Sequence, residues 1–321
     1  MKLFKSNKID RGLLSVIIPS YNHEKFIKSA VASVLNQDYP NIELIIIDDG
    51  SKDKSVEIIK SFKDERVHLV CQENKGAHKA INTGLSMAKG DFLAILNSDD
   101  LFEKDRFNVM IEDMQSRNNC EFLCSYIQII DENGKKLGVK QGWRNMEPWN
   151  LENPELTYKN IADFRKNLLM GNFVSTTSNF LFTRNLYNKI GGMRNLRFAH
   201  DWDFALRAAL ETECAIYEKP LMKYRIHGNN TISSNRKWMI FEIIWMWATY
   251  IPLYVKNNII LENEMEMFTL LESIQTQGND KLLWSLMVYI QSKREQGIKN
   301  SEEIFLENVE YRQKLLNYIN E

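Results

Sequence analysis

The segment Phe92-Leu93-Ala94-Ile95-Leu96-Asn97-Ser98-Asp99-Asp100 joins five apolar residues directly to an acidic turn. An apolar run of this length, preceded by Gly90-Asp91, is typical of a buried strand. Two carboxylates therefore follow the carboxyl end of a strand, which is the edge where open α/β sheets bind ligands. Mg²⁺ and Mn²⁺ prefer one or two carboxylates together with substrate phosphates. The segment thus predicts a divalent-cation site of the kind that handles nucleotide diphosphates.

The residues around this segment alternate between strand and helix patterns. Strands are predicted at residues 13–18, 42–47, 67–71 and 92–96, and helices at 24–36, 54–62, 77–88 and 104–117. Such alternation indicates βαβ units and a mainly parallel sheet, whose right-handed crossovers place the loops after the strands on one edge. Tyr21, Asp49 and Asp99 each follow a strand, so we expect them to converge there.

Beyond residue 120 the pattern changes. We predict a strand at 121–130 that enters a hairpin turn, a polar segment at 141–170 (with Trp143 and Trp149) that forms a mobile lid or acceptor loop, a β-like stretch at 173–182, and a helix at 199–211. From residue 235 the pattern is helical. The predicted domains are residues 1–234, with a nucleotide half at 13–125 and an acceptor half at 126–234, and a helical C-terminal subdomain at 235–321.

The composition is that of an ordinary globular protein, with 321 residues, 44% hydrophobic residues and a net charge of −1. No nucleic-acid partner is expected, because such proteins normally present a basic face. The four cysteines lack paired metal-ligand spacing, so reduced thiols are predicted. Residues 1–8 lack the apolar core of a signal peptide. The longest apolar run, residues 243–255, is too short to span a bilayer, so no transmembrane helix is expected.

Eight motifs follow one another along the chain. They are Val16-Ile17-Ile18-Pro19-Ser20-Tyr21-Asn22, Ile46-Ile47-Asp48-Asp49-Gly50-Ser51, Glu73-Asn74-Lys75-Gly76, Ala80-Ile81-Asn82-Thr83-Gly84, Asn97-Ser98-Asp99-Asp100, Gly191-Gly192-Met193, His200-Asp201-Trp202-Asp203 and Tyr224-Arg225-Ile226-His227. In this order the motifs resemble those of the family 2 glycosyltransferases. The resemblance extends over roughly residues 13–232, about two thirds of the chain.

The resemblance implies a GT-A fold: a mainly parallel, Rossmann-like sheet flanked by helices. It also implies metal-dependent transfer of a sugar from a nucleotide sugar, with inversion at the anomeric carbon and Mn²⁺ or Mg²⁺ as the cofactor. Asp201 becomes the general base. The implied nucleotide-binding residues are Pro19, Tyr21, Asn22, Asp49, Lys75 and Asp99, with Tyr21 against the nucleobase and Asp49 on its N–H. The implied metal residues are Asp99, Asp100 and His227.

The chain departs from the family pattern at two positions. Asn97 stands where the metal motif often has a first aspartate, which removes one carboxylate although the amide still offers an oxygen. His200 stands where the base motif often has a glutamate, but Asp201 itself is kept. His200 is therefore a second candidate for the base, and a structural or surface histidine is the alternative.

Each of the main assignments has a structural alternative. Asp201 at a helix start is also typical of an N-cap, and Asp99 could cap the helix that follows it. Asp49 belongs to a good turn sequence, with Asp48 as a supporting turn residue. Tyr21 could be a core aromatic, and His227 a hydrogen-bonded loop histidine.

The predicted function is transfer of a single sugar, from a UDP-sugar by family habit, to a glycan or lipid-linked acceptor in surface polysaccharide biosynthesis. The predicted location is the cytoplasm, with peripheral contact at the inner face of the membrane as an option. The aromatic stripe at Trp238, Phe241 and Trp245 indicates core or a subunit interface, including a homo-oligomer formed through the C-terminal helices; membrane contact is the alternative. The competing functions are a catalytically dead sugar-nucleotide binding module and a sugar nucleotidyltransferase, although the latter usually has a Gly-rich loop after the first strand.

Overall fold

The computed structural model describes residues 11–145, 163–228 and 235–320. The N-terminal residues 1–8 and Trp149, about which the sequence made predictions, lie outside these ranges, as does most of the predicted lid. The four cysteines are free thiols.

The first half of the chain forms the predicted parallel sheet. Its elements are β1 (Leu14–Ser20), α1 (Ile27–Leu35), β2 (Ile42–Asp48), α2 (Ser55–Lys60), β3 (Val67–Cys71), α3 (Ala77–Met87) and β4 (Phe92–Ile95). The four strands are parallel in the order β3-β2-β1-β4. Their carboxyl ends therefore share one edge, as the alternating pattern predicted.

The second half extends this sheet with strands of mixed direction. It contains β5 (Leu101–Phe102), α4 (Arg106–Ser116), β6 (Cys120–Ile130), β7 (Lys136–Lys140), α5 (Phe164–Met170), β8 (Leu181–Thr183), α6 (Arg184–Ile190), α7 (His200–Glu211) and β9 (Glu213–Arg225). The order continues β4-β8-β6-β9-β5, and β7 pairs with β6 as the predicted hairpin.

Two predictions in this half are wrong. The stretch 173–182 is not one strand: it has a 3₁₀ turn at Thr177–Asn179, and only its last two residues belong to β8. Side chains there bond to the backbone, as when Thr176 Oγ1 accepts from Ser178 N, and so compete with the strand ladder. The predicted loop at 141–170 ends in a helix rather than a loop. Asp163 accepts from two backbone N–H groups there and caps α5.

Side chains alternate between two apolar clusters on opposite faces of the sheet. In β1, Ile17 faces one cluster with α3, α7 and the C-terminal helices, whereas Val16 and Ile18 face the other with α1 and α4. This alternation is the period of two expected of a strand. Because both faces are covered, the polar groups at the strand ends are held on a rigid support.

The C-terminal region is helical, as predicted. It comprises α8 (Arg236–Lys256), α9 (Glu264–Ser273), α10 (Asp280–Glu295), α11 (Ile304–Glu307) and α12 (Val309–Leu316). Phe241 and Trp245 of α8 are fully buried and Trp238 is half-buried against the same cluster, so the aromatic stripe packs on the core. Arg194, before α7, contacts carboxylates of Asp203, Glu302 and Glu303 at 3.0–3.3 Å, which joins the C-terminal segment to α7. The domain boundary at residue 235 stays a prediction.

Helix α8 is longer than the apolar run seen in the sequence. Its 21 residues and a mean hydropathy of 1.3 make it the one helix of the described residues that is long and apolar enough to cross a membrane. However, 61% of its most apolar window is buried against the rest of the chain. A core helix passes the same test of length and composition, so this is weak evidence for a membrane span.

Candidate functional site

The ends of β1 and β2 form the first part of the candidate site. Asp48 accepts from Ser51 N and Ser51 Oγ (2.9 and 2.6 Å), which confirms its predicted turn role. Asp49 is buried; its Oδ1 accepts from Gln72 Nε2 and Lys75 N, and its Oδ2 accepts from Gly76 N, at 2.8–2.9 Å. Asp49 therefore fixes the loop that leads into α3, and its contact with a nucleobase stays a prediction.

The other predicted nucleotide residues lie along the same edge. Tyr21 is 46% exposed directly after β1, so it is not a core aromatic. Asn22 has a positive φ of 51°, and its Oδ1 accepts from Lys52 N at 2.7 Å, which joins the loops after β1 and β2. Pro19 pairs with Ile47 inside the sheet, and Lys75 is exposed. These positions are compatible with a nucleotide lying across the strand ends.

Three side chains form a group that could hold a divalent cation. His227 Nε2 lies 2.9 Å from Asp99 Oδ2, and one ligand atom each from His23, Asp99 and His227 lie within 4.8 Å of one another. The group joins residues more than 200 positions apart, because β9 pairs with β5 and so brings the segment after Arg225 beside the turn after β4. Arg225 secures this junction by donating from Nε to Asp99 O at 2.9 Å.

His23 is the member of this group that the sequence reasoning missed. Its Nδ1 lies 2.6 Å from Ser98 Oγ, and such a bond to one ring nitrogen is how metal-ligating histidines are commonly oriented. Burial lowers the pKa of His23, which favours the neutral imidazole that binds metals. The available signal was its place directly after the Tyr21-Asn22 pair at the end of β1.

Asp100, predicted as a metal residue, is held elsewhere. It is buried; its Oδ2 accepts from Ser178 Oγ at 2.6 Å and its Oδ1 from Arg225 N at 3.0 Å. Burial, followed by the nearby Asp99 charge, raises the pKa of Asp100 well above its usual value. Its carboxylate is thus a support for the acidic turn rather than a member of the cation group, since both oxygens are used within the protein.

Asn97 is also engaged by the protein. Its Oδ1 accepts from Thr177 Oγ1 and its Nδ2 donates to Thr176 Oγ1, at 3.1 and 3.0 Å. The Asn97 side chain therefore docks the segment before β8 onto the turn after β4. Helix α4 begins after Asp105, so Asp99 does not cap it.

Asp201 lies in the first turn of α7, whose N-cap is Ala199, so the N-cap interpretation of Asp201 is wrong. It is 6% exposed; its Oδ1 accepts from Trp202 N at 2.7 Å and its Oδ2 from Asn172 Nδ2 at 3.2 Å. The neighbouring His200 has a buried Nδ1 with no hydrogen-bond partner among the described residues. Burial, followed by the nearby His200, lowers the pKa of His78 to about 4.

A single segment, residues 172–178, contacts both Asp201 and the acidic turn at residues 97–100, and we call it the bridging segment. Asn172 donates to Asp201, whereas Thr176 and Thr177 bond to Asn97 and Ser178 bonds to Asp100. The Asp201 carboxylate and the acidic turn after β4 are therefore held in one network, although more than 100 residues separate them.

The start of α7 is fixed by Glu242 of α8, a residue that the sequence did not single out. Its carboxylate accepts from the backbone N–H groups of Arg197, Phe198 and Ala199 at 2.7–3.0 Å. Burial nevertheless raises the pKa of Glu242 to about 7. Helix α8 thus positions the turn that carries Asp201.

Glu242→Gln should therefore change how stability depends on pH. A carboxyl group whose pKa rises on folding stabilises the protein below the pKa of the unfolded chain, near 4.5, and this contribution is lost as the pH rises to about 7. The wild-type advantage over Glu242→Gln in free energy of unfolding should shrink by about 3 kcal/mol between pH 4.5 and 8. Urea unfolding measures this, with Glu272→Gln on the exposed face of α9 as the control. A difference in free energy of unfolding that stays constant between pH 4.5 and 8 would contradict the raised pKa of Glu242.

Comparison with known proteins is consistent with this arrangement. The family model described as "Glycosyl transferase family 2" matches residues 15–191. A putative teichuronic acid biosynthesis glycosyltransferase, TuaG of Bacillus subtilis, is 34% identical over 246 residues, which is 73% of this chain and 86% of TuaG. The family-model match spans the strand ends, the acidic turn and the bridging segment.

Two further relatives match over shorter stretches. Glycosyltransferase GlyG of Streptococcus pneumoniae is 38% identical over 38% of this chain, and the match spans 42% of GlyG. The Escherichia coli UDP-Glc:alpha-D-GlcNAc-diphosphoundecaprenol beta-1,3-glucosyltransferase WfgD is 40% identical over 39% of this chain, and the match spans 49% of WfgD. For these two proteins the similarity thus extends over less than half of their length.

Two solved structures share the fold. Staphylococcus aureus TarS 1-349 in complex with UDP-GlcNAc has a TM-score of 0.59 at 18% sequence identity. The superposition covers 95% of this chain and 79% of the TarS chain. Mannosyltransferase PcManGT from Pyrobaculum calidifontis, in complex with GDP-Man and Mn²⁺, has a TM-score of 0.55 at 13% sequence identity. The superposition covers 96% of this chain and 85% of the PcManGT chain. The architecture is the GT-A fold that the motifs implied. From the family model and the TuaG match together, this chain belongs to the family 2 glycosyltransferases.

Proposed function

We propose that the chain is an inverting, metal-dependent glycosyltransferase that moves one sugar from a UDP-sugar to a glycan or lipid-linked acceptor. The observation that carries the proposal is the bridging segment, which bonds to Asp201 on one side and to the Asn97–Asp100 turn on the other. A displacement between donor and acceptor requires the base and the diphosphate-binding group to be held in a fixed relative position. One short segment that contacts both groups can hold them in this way.

The residues at the acidic turn fit a divalent cation. Asp99, His227 and His23 supply one oxygen and two nitrogens close enough together to share one ion. The lowered pKa of His23 and its bond to Ser98 are the features expected of a ligating imidazole. A bound cation would stabilise the negative charge that gathers on the departing diphosphate. The described residues thus replace the missing carboxylate at position 97 with an imidazole.

Asp201 serves as the general base in this proposal. The acceptor oxygen forms a bond to the anomeric carbon while the bond from that carbon to the diphosphate oxygen breaks. The acceptor proton passes to the Asp201 carboxylate, and the nucleoside diphosphate leaves with the electron pair. Attack opposite the leaving group inverts the anomeric centre. Asn172 keeps one carboxylate oxygen oriented during this step.

Surface polysaccharide biosynthesis is the proposed setting, at the cytoplasmic side of the membrane. Support comes from two relatives: TuaG is a putative teichuronic acid biosynthesis glycosyltransferase, and WfgD uses UDP-Glc and a GlcNAc-diphosphoundecaprenol acceptor. TarS was solved with UDP-GlcNAc. The nucleotide-binding residues proposed here are Pro19, Tyr21, Asn22, Asp49, Lys75 and Asp99.

The proposal is tested by incubating the purified full chain with Mn²⁺ and a panel of UDP-glucose, UDP-GlcNAc, UDP-galactose and GDP-mannose, with GlcNAc-diphosphoundecaprenol as the acceptor. We expect one UDP-sugar to yield a glycosylated lipid and free UDP, with inverted anomeric configuration by NMR. Binding of a UDP-sugar without turnover on any acceptor tested would instead support a binding module.

The donor set also predicts a metal preference. Imidazole ligands suit transition metals better than Mg²⁺, which favours all-oxygen coordination. We therefore expect Mn²⁺ to support turnover at concentrations about tenfold lower than Mg²⁺, and His23→Ala to raise the Mn²⁺ concentration for half-maximal activity by about tenfold or more. Metal titration of UDP release measures both, with His68→Ala on exposed β3 as the control. Unchanged Mn²⁺ dependence in His23→Ala would remove His23 from the site.

A further inference from the structure

Lys140, the last residue of β7, is unusual for a lysine because it is only 1% exposed. Lysines are almost never fully buried unless they are paired. The β7 strand pairs with β6, and Lys140 stands opposite Ile127 in that ladder. Its Nζ donates to Ser175 Oγ in the bridging segment. An ammonium group is thus held inside the protein against the segment that carries Asn172.

A continuous chain of hydrogen bonds leads from Lys140 to the proposed base. Ser175 N donates to Asn172 Oδ1 at 2.9 Å, and Asn172 Nδ2 donates to Asp201 Oδ2 at 3.2 Å. Ser175 has a φ of 72°, a left-handed conformation that is unfavourable for a residue other than glycine. The contacts of the bridging segment hold this conformation, and it places Ser175 within reach of both Lys140 and Asn172.

The charge of Asp201 also acts on Lys140. Burial lowers the pKa of Lys140 to about 7, and Asp201 is the opposing charge that raises it. Of the elements packed around Lys140, α7 supplies this charge. The ammonium is therefore present below about pH 7.

We propose that Lys140 is a positioning residue that keeps Asp201 ionised and oriented for proton transfer, through its charge and through the Ser175–Asn172 chain. This inference rests on the proposed function, because Asp201 must be the base. Lys140 does not itself touch the acceptor in this scheme. It replaces solvent as the stabilising partner of a carboxylate that is almost fully buried.

The test is the pH dependence of kcat/KM for Lys140→Met, with the UDP-sugar that gives turnover in the panel above. An opposite charge nearby lowers a carboxyl pKa by about one to three units. We expect the acidic limb of the profile to move up by about one pH unit in Lys140→Met, which gives a loss of about tenfold well below the midpoint of that limb and convergence with wild type above pH 8. Lys136→Met, at the exposed start of the same strand, is the matched control and should leave the profile unchanged.

Ser175→Gly provides a second variant that preserves the backbone conformation, since glycine accepts the positive φ of this position. It removes the hydroxyl that accepts from Lys140, while the backbone N–H that donates to Asn172 and both charges are kept. We expect a smaller shift of the acidic limb in the same direction. A profile identical to wild type in both Ser175→Gly and Lys140→Met would overturn the inference.

A double-mutant cycle tests the coupling without any activity. At pH 6, Lys140→Met should raise the urea midpoint more in an Asp201→Asn background than in wild type, because only the wild type loses the partner of a buried carboxylate. Equal shifts in both backgrounds would show that the two side chains are not coupled and would contradict the proposal. The cycle could show coupling while Asp201→Asn retains full sugar transfer. Lys140 and Asp201 would then interact, but the proposed function, with Asp201 as the base, would fail. The positioning role of Lys140 would fail with it.

Discussion

Asp201→Asn should lower the rate of sugar transfer by about 10²- to 10⁴-fold, the usual contribution of a positioned general base. The amide keeps the size of the side chain and one acceptor oxygen for Trp202 N or Asn172, but it cannot take the acceptor proton. Binding of UDP should stay within about twofold of wild type, because Asp201 does not belong to the cation group. Steady-state kinetics with the active UDP-sugar and calorimetric titration with UDP measure the two quantities.

The control for this loss is Asp113→Asn, which changes an aspartate of α4 that pairs with Arg117 on the surface. Its transfer rate should equal that of wild type. Retention of more than about a tenth of wild-type transfer in Asp201→Asn would exclude Asp201 as the base. His200, the second candidate from the sequence, would then be tested by His200→Gln.

Asp99→Ala should abolish metal-dependent turnover. Asp99 contributes the one carboxylate of the proposed cation group, and its Oδ2 also bonds to His227. Loss of the cation removes several kcal/mol of charge stabilisation at the departing diphosphate, which corresponds to a rate reduction of about a thousandfold. Mn²⁺ binding followed by electron paramagnetic resonance, together with UDP release, measures this result.

Asp100→Asn is the informative comparison for Asp99. Both Asp100 oxygens face Ser178 and Arg225 N, and an asparagine can keep these contacts by accepting from Arg225 N and donating to the hydroxyl. We therefore expect Asp100→Asn to bind Mn²⁺ as wild type does, in contrast to Asp99→Ala. Loss of Mn²⁺ binding in Asp100→Asn with normal binding in Asp99→Ala would reverse the assignment of the two aspartates.

The parallel half of the fold could be predicted because its signals are local. Alternating apolar runs and helical spacing mark β1 to β4, and the rule for parallel sheets then brings Tyr21, Asp49 and Asp99 to one edge. The meeting of Asp99 with His227 depends on the pairing of β5 with β9, which no local pattern reveals. It could be anticipated only from the family resemblance.

The bridging segment was mispredicted because its Ser and Thr residues are as typical of strands as of hydrogen-bonded turns. Lys140 and Glu242 were not identified as buried, because charged residues are rarely found in a core and their partners lie far away in sequence. His23 carries no periodic signal at all. In the proposed scheme these residues orient Asp201 and complete the cation group, and their positions follow only from the tertiary structure.

Calorimetric titration of UDP in the presence of Mn²⁺ tests most directly the claim that the acidic turn and Asp201 have separate roles in one site. The titration is carried out on wild type, Asp201→Asn and Asp99→Ala, all of which should be folded. We predict that Asp201→Asn binds UDP as wild type does and that Asp99→Ala binds it at least about tenfold more weakly. Equal affinities in Asp99→Ala and wild type, or weakened binding in Asp201→Asn alone, would contradict this division of roles.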